Sequence, residues 1–294
     1  MDHVLSDDLA PFEARPYGVL VRGVRGGSGP PALLLHGTAG SWRNFRPWLP
    51  VLLPRAHLMI PDLPGFGQSP APRPRPRLAT WARLLHALTA ELDTPPRILI
   101  GLGFGASVAL AYLRLLHAAS HPVSGSAQPE PAPAPLTHLV LYAPAYYPGA
   151  IQPAVRRAVG LLGAAPVFAV ARLVLEQPRV QAWYLDRLVH GPDVPPEDAR
   201  LLREDLSRVS LPVLRGLARD IVRADFRALL HTCPTPTLAL IGDHDPFVKA
   251  AAVARLVRLM PRTAVLVQRN LAHGWTPAAI AEQHAALAAF LDGA

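Results

Sequence analysis

Residues 97–110 of this 294-residue chain read Arg-Ile-Leu-Ile-Gly-Leu-Gly-Phe-Gly-Ala-Ser-Val-Ala-Leu: an apolar strand, a glycine-rich turn and the start of a helix. The centre of such a turn sits at a strand's C-terminal end, where ligands of α/β sheets bind, so its residue type bears on what chemistry is on offer. Here the centre of Gly101-Leu102-Gly103-Phe104-Gly105 is Gly103, which brings no side chain. The groups that could react lie later in the chain. Asp245 stands at the end of a strand in Ile241-Gly242-Asp243-His244-Asp245, and His273 follows the last strand in Leu271-Ala272-His273-Gly274. An imidazole oriented by a carboxylate is a general base near neutral pH. One histidine among twelve carries little information, and the strand-end placement of both residues is what gives the pair weight.

Other polar residues near the turn are weaker candidates. Ser107, in Gly105-Ala106-Ser107-Val108-Ala109, falls in the first turn of the helix; only a shift of the strand–helix boundary would make it a nucleophile. Thr38 and Ser41 have the residue types of turn formers. The segment Gly101–Ala106 also fits the dinucleotide fingerprint G-x-G-x-x-A. That fingerprint wants an acidic residue about twenty positions on, and the chain runs instead into a Pro/Ala-rich stretch.

Elements that would position these groups alternate along the chain. Strands are read at Val19–Val24, Ala32–His36, His57–Ile60, Arg97–Gly101, Leu136–Tyr142, Thr237–Ile241 and Ala264–Val267. Helices are read at Asn44–Leu53, Leu78–Leu92, Phe104–Ala119, Lys249–Met260 and Pro277–Leu291. Residues 120–135 are low in complexity and read as a flexible Pro/Ala-rich loop. Residues 145–232 carry helical patterns punctuated by proline and no convincing strand. The fold class that follows is α/β, with a mostly parallel sheet and helices on both faces. Ligands of such sheets bind at the strands' C-terminal edge.

Bulk properties narrow the function classes. Half of the residues are hydrophobic and 17% are charged, which suits a packed globular protein. A single cysteine, Cys233, excludes an internal disulfide and a cysteine-based zinc site. The net charge of +8 comes almost wholly from arginine, with Lys249 the one lysine, and no nucleic-acid motif accompanies it. Nucleic acid is therefore not an expected partner. The first residues include acidic ones and no apolar run of signal-peptide length, which gives a cytoplasmic expectation. The longest apolar stretch, Ala158–Ala171, is interrupted by Pro166 and is shorter than the roughly 20 residues that span a bilayer. It reads as a buried or cleft-lining helix pair, with peripheral membrane contact as the alternative.

Four motifs in order resemble the α/β-hydrolase superfamily, in its capped serine-hydrolase-like branch. Leu35-His36-Gly37-Thr38 is similar to its oxyanion loop. Pro61-Asp62-Leu63-Pro64-Gly65-Phe66-Gly67-Gln68-Ser69 is similar to its D-x-P-G-x-G-x-S turn. Gly101–Gly105 stands where the family has its nucleophile elbow, and Asp245 and His273 stand where it has its acid and histidine. The resemblance implies a core of residues 1–144 and 233–294, with residues 145–232 as a helical cap between the sixth and seventh strands. It implies His273 as general base, Asp245 as its orienting acid, and the N–H groups of Thr38 and Phe104 as the oxyanion hole.

The family's nucleophilic serine is replaced by Gly103, so the nucleophile position is expected to be vacant. Three readings stay open. The chain binds a small apolar molecule under its cap, with Trp42, Tyr146, Tyr147, Trp183, Phe247 and Trp275 as walls. Or an Asp245–His273 dyad works without a covalent intermediate, as in a hydrolase or lyase. Or a serine hydrolase uses Ser107. None of these calls for a metal or a cofactor.

Overall fold

The computed structural model describes residues 8–38, 40–73, 77–120, 135–163, 173–174, 177–185 and 195–293. Eight strands form one sheet: β1 (Leu9–Ala14), β2 (Val21–Gly26), β3 (Pro31–Leu35), β4 (His57–Pro61), β5 (Ile98–Leu102), β6 (His138–Tyr142), β7 (Thr237–Gly242) and β8 (Thr263–Gln268). Their spatial order is β1-β2-β4-β3-β5-β6-β7-β8. The pairs β1–β2 and β2–β4 are antiparallel, and every other pair is parallel. The central strands are apolar runs such as Ala32-Leu33-Leu34-Leu35 and Leu238-Ala239-Leu240-Ile241, buried on both faces, as helix-covered parallel strands must be.

Among the described residues the α-helices are α1 (Leu49–Leu52), α2 (Leu78–Glu91), α3 (Phe104–Ser120), α4 (Pro153–Gly163), α5 (Pro178–Tyr184), α6 (Pro196–Ser207), α7 (Leu211–Ile221), α8 (Arg227–Thr232), α9 (Ala250–Ala254), α10 (Leu256–Leu259) and α11 (Pro277–Asp292). Local sequence explains their ends. Proline opens α4, α5, α6 and α11, where its missing N–H costs nothing. In α11 the Thr276 hydroxyl also accepts from the Ala279 N–H at 3.2 Å, and left-handed Gly293 stops the helix. The helix α2 buries Leu78, Trp81, Leu84, Leu85 and Leu88 at helical spacing and packs against α3.

The chain passes from β3 outward to β4 and returns on the other side of β3 as β5. Connections after β3 and β5 therefore diverge, and a crevice opens at the C-terminal ends of these two strands. Helices α4 to α8 lie between β6 and β7 in the chain.

The α/β architecture expected from the sequence is present. Several details differ. Strand β1 is not marked by sequence pattern, because its six residues contain Pro11 and bury only three side chains. The segment expected as a helix over Asn44–Leu53 is a 3-10 helix over Trp42–Trp48 followed by α1, since Pro47 and Pro50 break a regular helical ladder. Lys249–Met260 divides into α9 and α10. The expected loop at 120–135 lies almost wholly outside the described residues. Among the described residues no helix is long and apolar enough to cross a membrane.

One close contact governs how α3 meets the sheet. A methyl group added to Gly105 would lie 2.0 Å from the Leu35 carbonyl oxygen and 2.6 Å from that of His36. Gly105→Ala is accordingly expected to cost about 3 kcal/mol of stability, the upper end for overpacking. Gly160, where an added methyl would meet nothing within 4 Å, is the matched control in exposed α4. There alanine is expected to gain about 0.5–1 kcal/mol. Urea midpoints of the two variants check both.

Candidate functional site

Only Gly103 separates β5 from α3, and its φ of +51° is the left-handed backbone that glycine adopts freely. Its N–H donates to the Tyr142 carbonyl at 2.8 Å, which ties the turn to the end of β6. The Phe104 ring turns into the core, meeting Phe66 at 5.6 Å and Trp81 at 6.2 Å between centroids. A Cβ on Gly103 would point at His273, 2.8 Å from its Nε2.

His273 and Asp245 meet at one edge of the sheet, from the loops after β8 and β7. Asp245 follows β7 and has a fully buried carboxylate. Its Oδ1 accepts from the N–H groups of Phe247 and Val248, both at 2.8 Å, and its Oδ2 accepts from His273 Nδ1–H at 2.7 Å. With the proton on Nδ1, Nε2 keeps its lone pair toward Gly103. The imidazole plane is held by Phe247 and Tyr142, edge-on at 4.8 and 6.5 Å. The Tyr142 hydroxyl donates to the Gly274 carbonyl and anchors the histidine loop. His244 and Asp243 pair with each other at the surface, 2.9 Å apart, and take no part in this arrangement.

The loop after β3 is held by buried polar groups. His36 is fully buried; its Nδ1–H donates to the Gly37 carbonyl at 2.9 Å and its Nε2 accepts from the Leu63 N–H at 2.9 Å. Asp62 accepts from the Trp42 and Gln68 N–H groups at 2.7 and 2.8 Å. Asp205, on α6, accepts from the Ser41 hydroxyl at 2.5 Å and from Arg43 Nη1 at 3.3 Å. This last tie pins the inserted helices to the loop beside the site. Sequence reasoning misses it, although Leu201, Leu202 and Asp205 share one buried face of α6, and an acid on such a face is a signal that a partner waits there.

A cavity of about 250 Å³ opens over this framework. Gly37, Thr38, Gly103, Phe104 and His273 form its floor, while Val155, Val159, Tyr184, Leu214 and Ile221 line it from the inserted helices. Burial pushes the Tyr184 phenol up to about 12, with the Asp245 charge adding to the shift. Phe247 and Trp275 line the cavity, as do Trp48 and Tyr142.

Four of the six expected walls do not line the cavity. Trp183 is 57% exposed, because α5 turns its next residue, Tyr184, inward and successive helical residues point about 100° apart. Trp42 begins the 3-10 helix whose far end, Trp48, reaches the cavity instead. Tyr146 and Tyr147 pack elsewhere, Tyr146 donating to the Ala252 carbonyl at 2.9 Å. Ser107 is fully buried in the first turn of α3; it borders the cavity, yet its hydroxyl has no hydrogen-bond partner and so does not engage His273. Among the described residues no three His, Cys, Asp or Glu side chains gather as a metal site requires.

Comparison with known proteins adds four findings. A family model described as alpha/beta hydrolase fold matches residues 30–273. A pimeloyl-[acyl-carrier protein] methyl ester esterase of Methylococcus capsulatus is 29% identical over 252 residues, covering 79% of this chain and 83% of the esterase. A magnesium-chelatase 30 kDa subunit of Rhodobacter capsulatus is 40% identical over 83 residues, so that the match spans only 28% of this chain and 29% of that subunit. Among solved structures, E-2-(acetamidomethylene)succinate hydrolase superposes with a TM-score of 0.73 at 21% identity, covering 97% of this chain and 99% of its own. That likeness concerns the fold.

The buried histidine beside the site makes stability depend on pH. Burial lowers His36 from its ordinary 6.5 to about 4, against the weaker upward pull of its hydrogen bond to Gly37. Between these values the unfolded chain holds a proton that the folded chain refuses, so stability falls as pH drops through the window, by about 3 kcal/mol in all. Asp62 and Asp205, raised chiefly by burial, act with the opposite sign. A glutamine at position 36 can accept from Leu63 and donate to Gly37 without titrating. His36→Gln is expected to flatten the plot of unfolding free energy against pH between about 6.5 and 4 by about one proton.

Proposed function

The chain belongs to the α/β-hydrolase fold family, and from that premise we propose that it binds a small apolar ligand beneath a helical cap, residues 145–232, without the covalent step of a serine hydrolase. Gly103 carries the reading. It occupies the turn where the family presents its nucleophile, and a residue with no side chain cannot form an acyl-enzyme. The oxyanion donors, the N–H groups of Thr38 and Phe104, surround the vacancy together with Asp245 and His273. Nor is the vacancy an empty slot of serine size. The imidazole stands 2.8 Å from where a Cβ would begin, closer than side-chain carbons approach their neighbours.

The other observations support the same reading. Ser107 is a poor substitute, one helical turn onward with its hydroxyl unpartnered. The cavity is walled mainly by apolar and aromatic side chains, and its volume lies below the usual span of about 300–1,000 Å³, which favours a compact ligand. The esterase likeness supports the ancestry. The cytoplasm remains the proposed location.

A second reading has one observation in its favour, the 2.7 Å bond from His273 to Asp245 that leaves Nε2 as a base facing the cavity. In it, Nε2 takes a proton from a bound water or from a substrate O–H or C–H, and the Thr38 and Phe104 N–H groups receive the charge that develops.

Fluorophosphonate labelling and p-nitrophenyl ester turnover test the absence of a covalent step. The unmodified chain is expected to remain unlabelled. Gly103→Ser is expected to gain labelling once the imidazole withdraws by a fraction of an ångström. Labelling of the unmodified chain that disappears in Ser107→Ala would overturn the proposal. His273→Ala separates the two readings: it leaves binding of an apolar dye intact under the first and abolishes turnover under the second.

A further inference from the structure

The inserted helices carry two opposite faces, and the outer one is unexplained by ligand binding. Val155 and Val159 turn α4 toward the cavity, and Tyr184 and Leu185 do the same for α5. Residues about half a helical turn away point outward: Arg157 and Leu161 on α4, Arg179 and Trp183 on α5. On both helices an arginine precedes a large apolar residue by one turn. Leu161, Trp183 and, between them in the chain, Leu173 and Val174 are between 54% and 67% exposed, and they make up four of the seven large hydrophobic side chains exposed among the described residues. Both inner faces line one cavity, so the two outer faces belong to the outside of that cavity's wall.

The charge of this surface selects its partner. Arg156, Arg157 and Arg179 are exposed on the two helices, and neither Pro153–Gly163 nor Pro178–Tyr184 contains an acid. Among the described residues no carboxylate pairs with Arg156, Arg157 or Arg179, whereas Arg43, Arg55, Arg77, Arg208 and Arg227 all have acidic partners. A two-fold contact with a second copy would set arginine against arginine. A nucleic acid would neutralise the arginines and leave the leucine and tryptophan in water. The boundary between headgroups and acyl chains of an anionic bilayer satisfies both, since arginine meets phosphate there while tryptophan and leucine enter the apolar layer.

We infer that the outer face of α4 and α5, with Leu173 and Val174, is a docking surface for an anionic phospholipid membrane. The surface lies on the outside of the helices whose inner faces line the apolar cavity. The inference stands whether or not the site beneath is catalytic.

Sedimentation of the full chain with vesicles tests it, using phosphatidylcholine alone and phosphatidylcholine with about one-third phosphatidylglycerol. The chain is expected to bind the anionic vesicles and not the neutral ones, and to be released as salt rises from about 0.1 M to about 1 M. Each charge reversal, Arg157→Glu or Arg179→Glu, is expected to lower partitioning about fivefold or more. The double variant Leu161→Ser with Trp183→Ser should lose binding while keeping its unfolding midpoint and its uptake of an apolar dye. Three results would each overturn the inference: equal binding to neutral vesicles, no binding to either kind, or variants that bind as the unmodified chain does. A concentration-dependent dimer that the Leu161/Trp183 variant abolishes, without vesicle binding, would assign the face to a second copy instead.

Discussion

Backbone packs on backbone where α3 crosses the ends of β3 and β5, and that contact sets the geometry of everything above it. Gly105 lies so close to the Leu35 and His36 carbonyls that no side chain fits between them. The loop carrying Gly37 and Thr38 and the turn carrying Gly103 are thereby held in a single arrangement. Parallel pairing of β5, β6, β7 and β8 then brings the loops after β7 and β8 to the same edge. Asp245 and His273 arrive over Gly103 by register, far from it in sequence.

Polar groups buried around this edge are satisfied almost entirely by nearby backbone. Asp245 takes two N–H groups before it takes the histidine, Asp62 takes two more, and His36 bridges a carbonyl and an N–H. Such pairing is what makes burial of these groups tolerable, and it leaves each with little freedom to move. Asp205 is satisfied by side chains instead: its bonds to the Ser41 hydroxyl and the Arg43 guanidinium hold α6 against the loop beside the site. The apolar roof of the cavity is thus fastened by a polar clamp at one side.

Much of this can be read from the chain alone. Apolar runs mark seven of the eight strands, prolines mark helix starts, and the order of four motifs marks the family. The unread parts have physical causes. Strand β1 depends on its pairing with β2 more than on its own composition. Trp42 and Trp183 mislead as aromatic walls because composition tells that an aromatic is present and not which way its helix is turned. Tyr184, one residue from Trp183, faces the cavity for that reason alone. Asp205 escapes notice because an acid on a helix is usually solvated, and its buried partner lies 164 residues away.

Gly103 shows where the division falls. Residue type and periodicity suffice to establish that the turn after β5 has no side chain at its centre. They also establish that an acid and a histidine follow the last two strands, and that the chain folds as an α/β sheet. These are local facts. Packing adds what they leave open: the imidazole stands 2.8 Å from the position of an absent Cβ, and Ser107 is buried away from it. Packing likewise divides α4 and α5 into apolar inner and arginine-bearing outer faces. Distances between segments remote in sequence arise when the elements come together, and no spacing along the chain encodes them.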